Sequence, residues 1–253
     1  MGALFHFMLT RVEPLFTLES LHATLYIVQV NVLSKLIFDP EALPVDSIAG
    51  EPAVLPGRLT QPWLRERFAN PPCWTPESQE EYLIQRDPPM PAAVLMPIVM
   101  RGEHPTLLLT QRTAHLNDHA GQVSLPGGRV DASDRSPIET ALRETEEEVG
   151  LNRANVEVLG TLPDYITGTG FRVTPVVSLV RPPFELVADP FEVAEIFEVP
   201  MTFLMNGANH QRRTFDLPNA LGRRTFYAMP YERFFIWGAT AGMLRNLFHF
   251  LRA

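Results

Sequence analysis

The chain is short of cysteine, of positive charge and of long apolar runs. One cysteine, Cys73, excludes an intrachain disulfide and any multi-cysteine zinc site, and it suits a reducing cytoplasm. Lys and Arg number 21 against 29 Asp and Glu, for a formal charge of −8 and a pI near 5.4. That balance argues against a nucleic-acid surface built from bulk positive charge. A small polyanionic substrate would then need a metal or local arginines. The longest apolar run near the start, LHATLYIVQVNVL at 21–33, is too short to span a bilayer, so neither a signal peptide nor a membrane span is expected.

What is present is an ordinary globular composition over 253 residues, long enough to bury a substantial core, with no internal repeat. The first ~36 residues are apolar and lack turn punctuation. Residues 37–92 hold much of the proline and read as an extended arm with one short helix around TQPWLRERFA. We therefore expect an N-terminal extension and Pro-rich arm over 1–88 and one domain over 89–253. Within the latter, AAVLMPIVM and PTLLLTQR read as a hairpin joined by RGEH. QVSLPGGR at 122–129 reads as a third strand ending in a Pro-Gly-Gly turn, and NVEVLGTL and RVTPVVSLV as further strands. The tail YERFFIWGATAGMLRNLFHFL should end in a helix, with Trp237, Ala241, Leu244, Leu247 and Phe250 near helical spacing. Strands and helices in this order predict an α/β or α+β sandwich.

Residues 143–150, RETEEEVG, place four glutamates in positions 144–148. Like charges three and four apart on a helix repel. The segment is nevertheless a helix by its punctuation: Ser136 suits the N-cap, Pro137 the first turn, Glu139 completes a Ser-x-x-Glu capping box, and Gly150 suits the position past the end. At about 100° per residue, Ile138, Ala141, Leu142, Thr145 and Val149 form a core-facing stripe. Glu144, Glu147 and Glu148 share the far flank, and Glu146 lies apart. Converging carboxylates raise one another's pKa unless a cation sits among them. Hard oxygen ligands suit Mg²⁺ or Mn²⁺. A solvated acidic helix face is the plain alternative. Two neighbours favour the ion: the Gly127–Gly128 pair, whose backbone could offer a carbonyl oxygen, and Arg143, able to orient a carboxylate bidentately.

This stretch resembles the Nudix box: Gly, five residues, Glu, seven residues, then Arg-Glu-hydrophobic-x-Glu-Glu-x-Gly-hydrophobic. Arg143 to Leu151 match the second half, with Thr145 at the hydrophobic position; in the first half Asp134 stands where Glu belongs, and eight residues instead of seven separate it from Arg143. That expansion is similar to the coenzyme A-hydrolysing branch. A second motif of that branch lies just upstream and matches at Leu108, Leu109, Thr110, Arg112, Gly121, Pro126, Gly127 and Gly128. It departs at Thr113 for a small residue, Asn117 for a second Arg and Leu125 for Phe, which removes a cation at 117 and leaves Arg112 to carry the phosphate contact. His115 and His119 flank that position.

The resemblance covers about residues 90–253 and implies a Nudix-type α/β/α sandwich with a mixed β-sheet. It implies a hydrolase of nucleoside diphosphates joined to another group, here coenzyme A or an acyl-coenzyme A cleaved to 3′,5′-ADP and 4′-phosphopantetheine. Mg²⁺ or Mn²⁺ would be held by Glu144 and Glu148, with Glu147 nearby and the Gly128 carbonyl opposite. Arg143 would support them, Glu147 would be the first choice of general base, and Glu192 or Glu195 the second. Arg112, Gly127, Gly128 and Asn117 would meet the substrate. Phe171, Tyr165 and Trp237 are candidates for its thiol end, and the pairs Arg212–Arg213 and Arg223–Arg224 for phosphates. Hydrolysis of ADP-ribose or nucleoside triphosphates is the alternative within the family; a non-catalytic nucleotide-binding domain and a structural protein with an acidic helix are the others. A homodimer through the apolar start, a cytoplasmic location, and no nucleic-acid or membrane partner complete the expectations.

Overall fold

A computed structural model describes residues 39–77, 88–102, 104–116, 120–216 and 223–253. In chain order the first elements are β1 (Ser47–Ile48), α1 (Gln61–Ala69), β2 (Met90–Val99), β3 (Thr106–Arg112), β4 (Val123–Ser124), β5 (Gly127–Arg129) and α2 (Pro137–Val149). Then come β6 (Val156–Thr161), β7 (Tyr165–Ile166), β8 (Phe171–Val180), β9 (Val193–Pro200) and the single turn α3 (Met201–Leu204). The chain closes with β10 (Gln211–Asp216), β11 (Arg223–Tyr231), β12 (Phe234–Trp237) and α4 (Gly238–Arg252).

The main sheet is mixed. β2 runs parallel to β8 along its whole length, from Met90 opposite Phe171 to Val99 opposite Val180, while its antiparallel hairpin with β3 is confined to two residue pairs. A strand covered on both faces reads as a continuous apolar run, which is why MPAAVLMPIV shows no alternation. Successive side chains still point to opposite faces. Ala93, Leu95 and Val176 meet Ala141 of α2. Ala92, Met96, Ile98, Val177 and Leu179 belong to the core that holds Ala241, Leu244, Leu247 and Phe248 of α4. Helix, sheet and helix thus form three layers. A smaller antiparallel sheet, ordered β1-β10-β11-β12, adjoins α4.

One sequence expectation is corrected. QVSLPGGR is two short strands, β4 against β3 and β5 against β2, and the Gly-Gly pair lies in the second. A Cβ at Gly127 would collide with the Ala93 carbonyl oxygen and the Val94 Cα. The glycine therefore permits close pairing of backbones, and a mobile turn is not its role.

The Pro-rich arm packs on this core. Val54, Leu59 and Leu64 are buried in the same cluster as α4. Arg58 donates to the carbonyl oxygens of Leu251 and Arg252, satisfying acceptors left open at the end of α4. Arg65 grips Glu157 of β6 with two bonds of 2.6 and 2.9 Å. The packed unit runs from Asp39 to Ala253, whereas the apolar run at 21–33 lies outside the described residues. No helix among the described residues is long and apolar enough to cross a membrane.

Candidate active site

The helix α2 forms as its punctuation dictates. Ser136 is extended and its hydroxyl accepts from the Glu139 N–H at 3.2 Å; Gly150 adopts φ 68°, ψ 13°, the left-handed conformation in which its N–H closes on the Glu146 carbonyl. Glu139 reaches back to the Arg135 N–H at 2.9 Å, one residue before the cap.

From this helix Arg143 gathers the acids. Its Nε and one terminal nitrogen donate to the two oxygens of Asp134 at 3.0 and 2.8 Å; the other terminal nitrogen donates to Glu144 at 2.9 Å and Glu147 at 3.1 Å. The Asp134 side chain is 2% exposed, and Arg143 holds its carboxyl well below the usual range. Asp134 also accepts from the Thr140 hydroxyl and the Asp131 N–H, so it fastens the loop to the start of α2. The bidentate role read for Arg143 from sequence falls on Asp134, the residue noted there as a substitution.

Glu144 and Glu148, one turn apart, meet the Gly127–Gly128 strand. Gly128 lies so close to the Glu144 carboxylate that a Cβ would strike it, and the Gly127 N–H donates to Glu148 at 3.0 Å. Glu148 is buried, with 7% of its side chain exposed, and sits beside the core stripe instead of on an open flank. Burial pushes its pKa up to about 7, with repulsion from Glu192 and Glu144 adding to it, against the Gly127 N–H and Arg112. Burial also raises Glu144, and Arg143 opposes this. Arg112, at the end of β3, stands 3.8 Å from Glu148, and its Nε is buried without a hydrogen-bond partner among the described residues.

Other expected residues take separate places. Glu147 is 60% exposed and touches Arg143 alone among the ion pairs of the described residues. Glu146 pairs with Arg153, away from the cluster as its helical phase required. Glu192 lies in the loop entering β9, near enough to Glu144 and Glu148 for its charge to raise both. Glu195 pairs with Arg233. Arg213 is buried and donates to the carbonyls of Pro40, Glu41 and Leu43, and Arg223 pairs with Asp216. Arg212 stacks on Tyr227, and Arg224 lies against Gly168. Phe171 is stacked by Arg129 at 5.5 Å, the Tyr165 ring abuts Gly242 of α4, and Trp237 packs edge-on to Phe226. Asn117 and His119 lie outside the described residues. Sequence reasoning missed the enclosure of Glu148; its signal was the buried Ala141, seven positions earlier and only about 20° away around the helix.

Among the described residues no group of three or more His, Cys, Asp or Glu side chains is arranged to hold a metal ion. Two carboxylates and a backbone carbonyl do not require such a group, since Mg²⁺ commonly takes one or two carboxylates and completes its shell with water and phosphate. The donors fit that chemistry. Glu144 and Glu148 offer hard carboxylate oxygens held against Gly128, and burial raises the pKa of both, with repulsion between neighbouring carboxylates adding to it.

The family model described as NUDIX domain matches residues 89–215. Proteins named uncharacterized Nudix hydrolase NudL are similar: that of Citrobacter koseri is 46% identical over 157 residues, covering 62% of this chain and 80% of its own, and that of Escherichia coli K12 is 45% identical over the same shares. The crystal structure of the M. smegmatis Nudix hydrolase RenU aligns at 28% identity and a TM-score of 0.38, over 44% of this chain and 70% of that one. With the box on α2, the glycine strand against it and a family match over half its length, this chain belongs to the Nudix family and is a Nudix diphosphate hydrolase.

Proposed function

We propose that this hydrolase cleaves the central pyrophosphate of coenzyme A or an acyl-coenzyme A, releasing 3′,5′-ADP and 4′-phosphopantetheine or its acyl form. The observation that carries a diphosphate site is the convergence of Glu144 and Glu148 on the Gly127–Gly128 strand, with Arg143 and Arg112 beside them. The coenzyme A branch is supported by the motif that ends in Pro126-Gly127-Gly128 and by the one-residue expansion at Asp134.

Glu144, Glu148 and the Gly128 carbonyl would hold Mg²⁺ or Mn²⁺, which supplies positive charge to diphosphate oxygens that otherwise repel a nucleophile. Arg143 keeps the Glu144 carboxylate oriented through its second anchor on Asp134. Arg112, partly exposed at the end of β3, would meet a phosphate oxygen with its guanidinium. As base, Glu192 takes a proton from the attacking water at a carboxylate oxygen, since Glu147 is turned to solvent and Arg143. The water oxygen bonds one phosphorus while the bridging oxygen leaves on the other fragment. The machinery lies within 89–253; the single exposed Cys73 suits a reducing cytoplasm, and sedimentation tests a homodimer through the apolar start.

Incubation with coenzyme A, with and without Mg²⁺ or Mn²⁺, and chromatography of the products test this reading. Metal-dependent 3′,5′-ADP is the expected product. The second reading, ADP-ribose or a nucleoside triphosphate as substrate, is favoured by Asn117 in place of an arginine; turnover of those compounds without turnover of coenzyme A would establish it.

A further inference from the structure

β3 and β9 pair in register from Thr106 opposite Pro200 to Gln111 opposite Glu195, and then the register slips so that Arg112 faces Val193. A bulge at a strand end re-aims the side chains beyond it. Past the bulge the two chains remain joined at Thr113. Its N–H donates to the Glu192 carbonyl at 3.0 Å, and its hydroxyl donates to the Phe191 carbonyl at 2.8 Å. From the other side, Asp189 accepts both N–H groups of the same dipeptide, Phe191 on its carboxylate at 2.8 Å and Glu192 on its carbonyl at 3.1 Å. All four backbone polar groups of Phe191–Glu192 are thus held. His115 adds an edge-on ring contact to Phe191, centroids 5.0 Å apart, and Thr113 itself is 7% exposed.

We infer that Thr113 is the positioning residue of Glu192, coupling the strand that presents Arg112 to the loop that presents the base. The inference rests on the function proposed above. A Glu192 backbone left to itself would sit in an exposed loop between Ala188 and Val193, and loops of that kind do not hold a carboxylate to a fraction of an ångström. The hydroxyl at 113 supplies a side-chain bond that ties this loop to the end of β3. The resembling motif asks only for a small residue there, and this chain has a hydroxyl with a methyl group that helps fill a buried site.

Thr113→Val keeps the shape and the backbone bond and removes the hydroxyl; Thr113→Ser keeps the hydroxyl. With coenzyme A and Mg²⁺, the valine variant should lose roughly tenfold in kcat with KM within about twofold, and the serine variant should stay within about twofold of wild type in both. Glu192→Gln combined with Thr113→Val should be no slower than Glu192→Gln alone, since the threonine acts through that carboxylate. A valine variant with wild-type kcat, or losses that multiply in the double variant, would overturn the inference. Amide exchange gives a readout independent of turnover: the Thr113 and Glu192 amides should exchange at least about tenfold faster in the valine than in the serine variant. If the wild-type chain hydrolyses no diphosphate, the function fails while that difference still supports the clip. Equal exchange in the two variants overturns the clip even in an active enzyme.

Discussion

Arg143 and Arg245 each stand among carboxylates, and the two regions differ in what the arginine leaves undone. Arg245 of α4 is 3% exposed; it donates twice to Glu51 at 2.8 and 3.1 Å, twice to Glu77 at 2.9 and 3.5 Å and once to His210 Nδ1 at 3.1 Å, with the Tyr227 ring stacked on it at 4.6 Å. The Arg245 bond holds Glu51 at about 2, and hydrogen bonds from His249, Arg245 and Tyr227 hold Glu77 at about 2 although burial pushes against them. That cluster is closed. Around Arg143 the acids share one fork, Glu147 stays open to solvent, and burial takes Glu148 up to about 7. Hydrogen bonds keep the carboxylates of the first cluster ionised and tie the arm to the domain, whereas burial works against the charge of Glu148 in the second.

The contrast breaks first at Glu148. Glu148→Gln should lower metal-dependent turnover on the order of 10³-fold while leaving thermal stability equal or higher, because burial disfavours this charge by more than the Gly127 N–H and Arg112 support it. Unchanged activity with unchanged Mg²⁺ dependence would remove Glu148 from the metal site. Arg245→Met should do the reverse, costing about 2–3 kcal/mol in urea denaturation because Glu51 and Glu77 lose their cation, with the Mg²⁺ dependence of the remaining activity unmoved. An arginine cluster that can be cut without loss of stability would not be the arm's anchor.

Titration sharpens the same comparison. Glu148 has a folded pKa raised from 4.5 to about 7, so the folded chain binds the extra proton and this group destabilises the metal-free fold increasingly as pH rises from about 4.5 to about 7, by roughly 3 kcal/mol at most. His210 runs the other way: burial depresses it from 6.5 to about 4, so the stability it contributes is present above 6.5 and lost as pH falls towards 4. In wild type the two slopes oppose each other over pH 4.5–6.5. Denaturation midpoints of Glu148→Gln without metal should therefore fall on acidification more steeply than those of wild type. The smallest effect is expected at the exposed Glu147: Glu147→Gln should change stability by less than about 1 kcal/mol and turnover by a few-fold. A loss as deep as that at Glu148 would move the base from Glu192 to Glu147.

Much of the site could be read in the chain because it is local. Ser136, Glu139 and Gly150 punctuate one helix, and the spacing of Glu144, Glu147 and Glu148 sets their angular relation. The three-layer sandwich and mixed sheet expected from the Nudix resemblance are the architecture found. The parallel partner of β2 was not legible, because β8 begins about eighty residues later and an apolar run does not name its neighbour. Nor was the Arg245 cluster, whose members come from residues 51, 77, 210, 227 and 245.

By itself, then, the sequence determined the helix, its acidic flank, the glycines that let a strand approach it and the family to which the chain belongs, since each depends on neighbours within a few turns of backbone. Only the tertiary structure decided which glutamate is buried, that Arg143 spends its fork on Asp134, that Gly127–Gly128 is a strand and that Thr113 bonds the Phe191–Glu192 backbone. Those outcomes depend on desolvation and on contacts between distant segments, and neither is a property of any short stretch of chain.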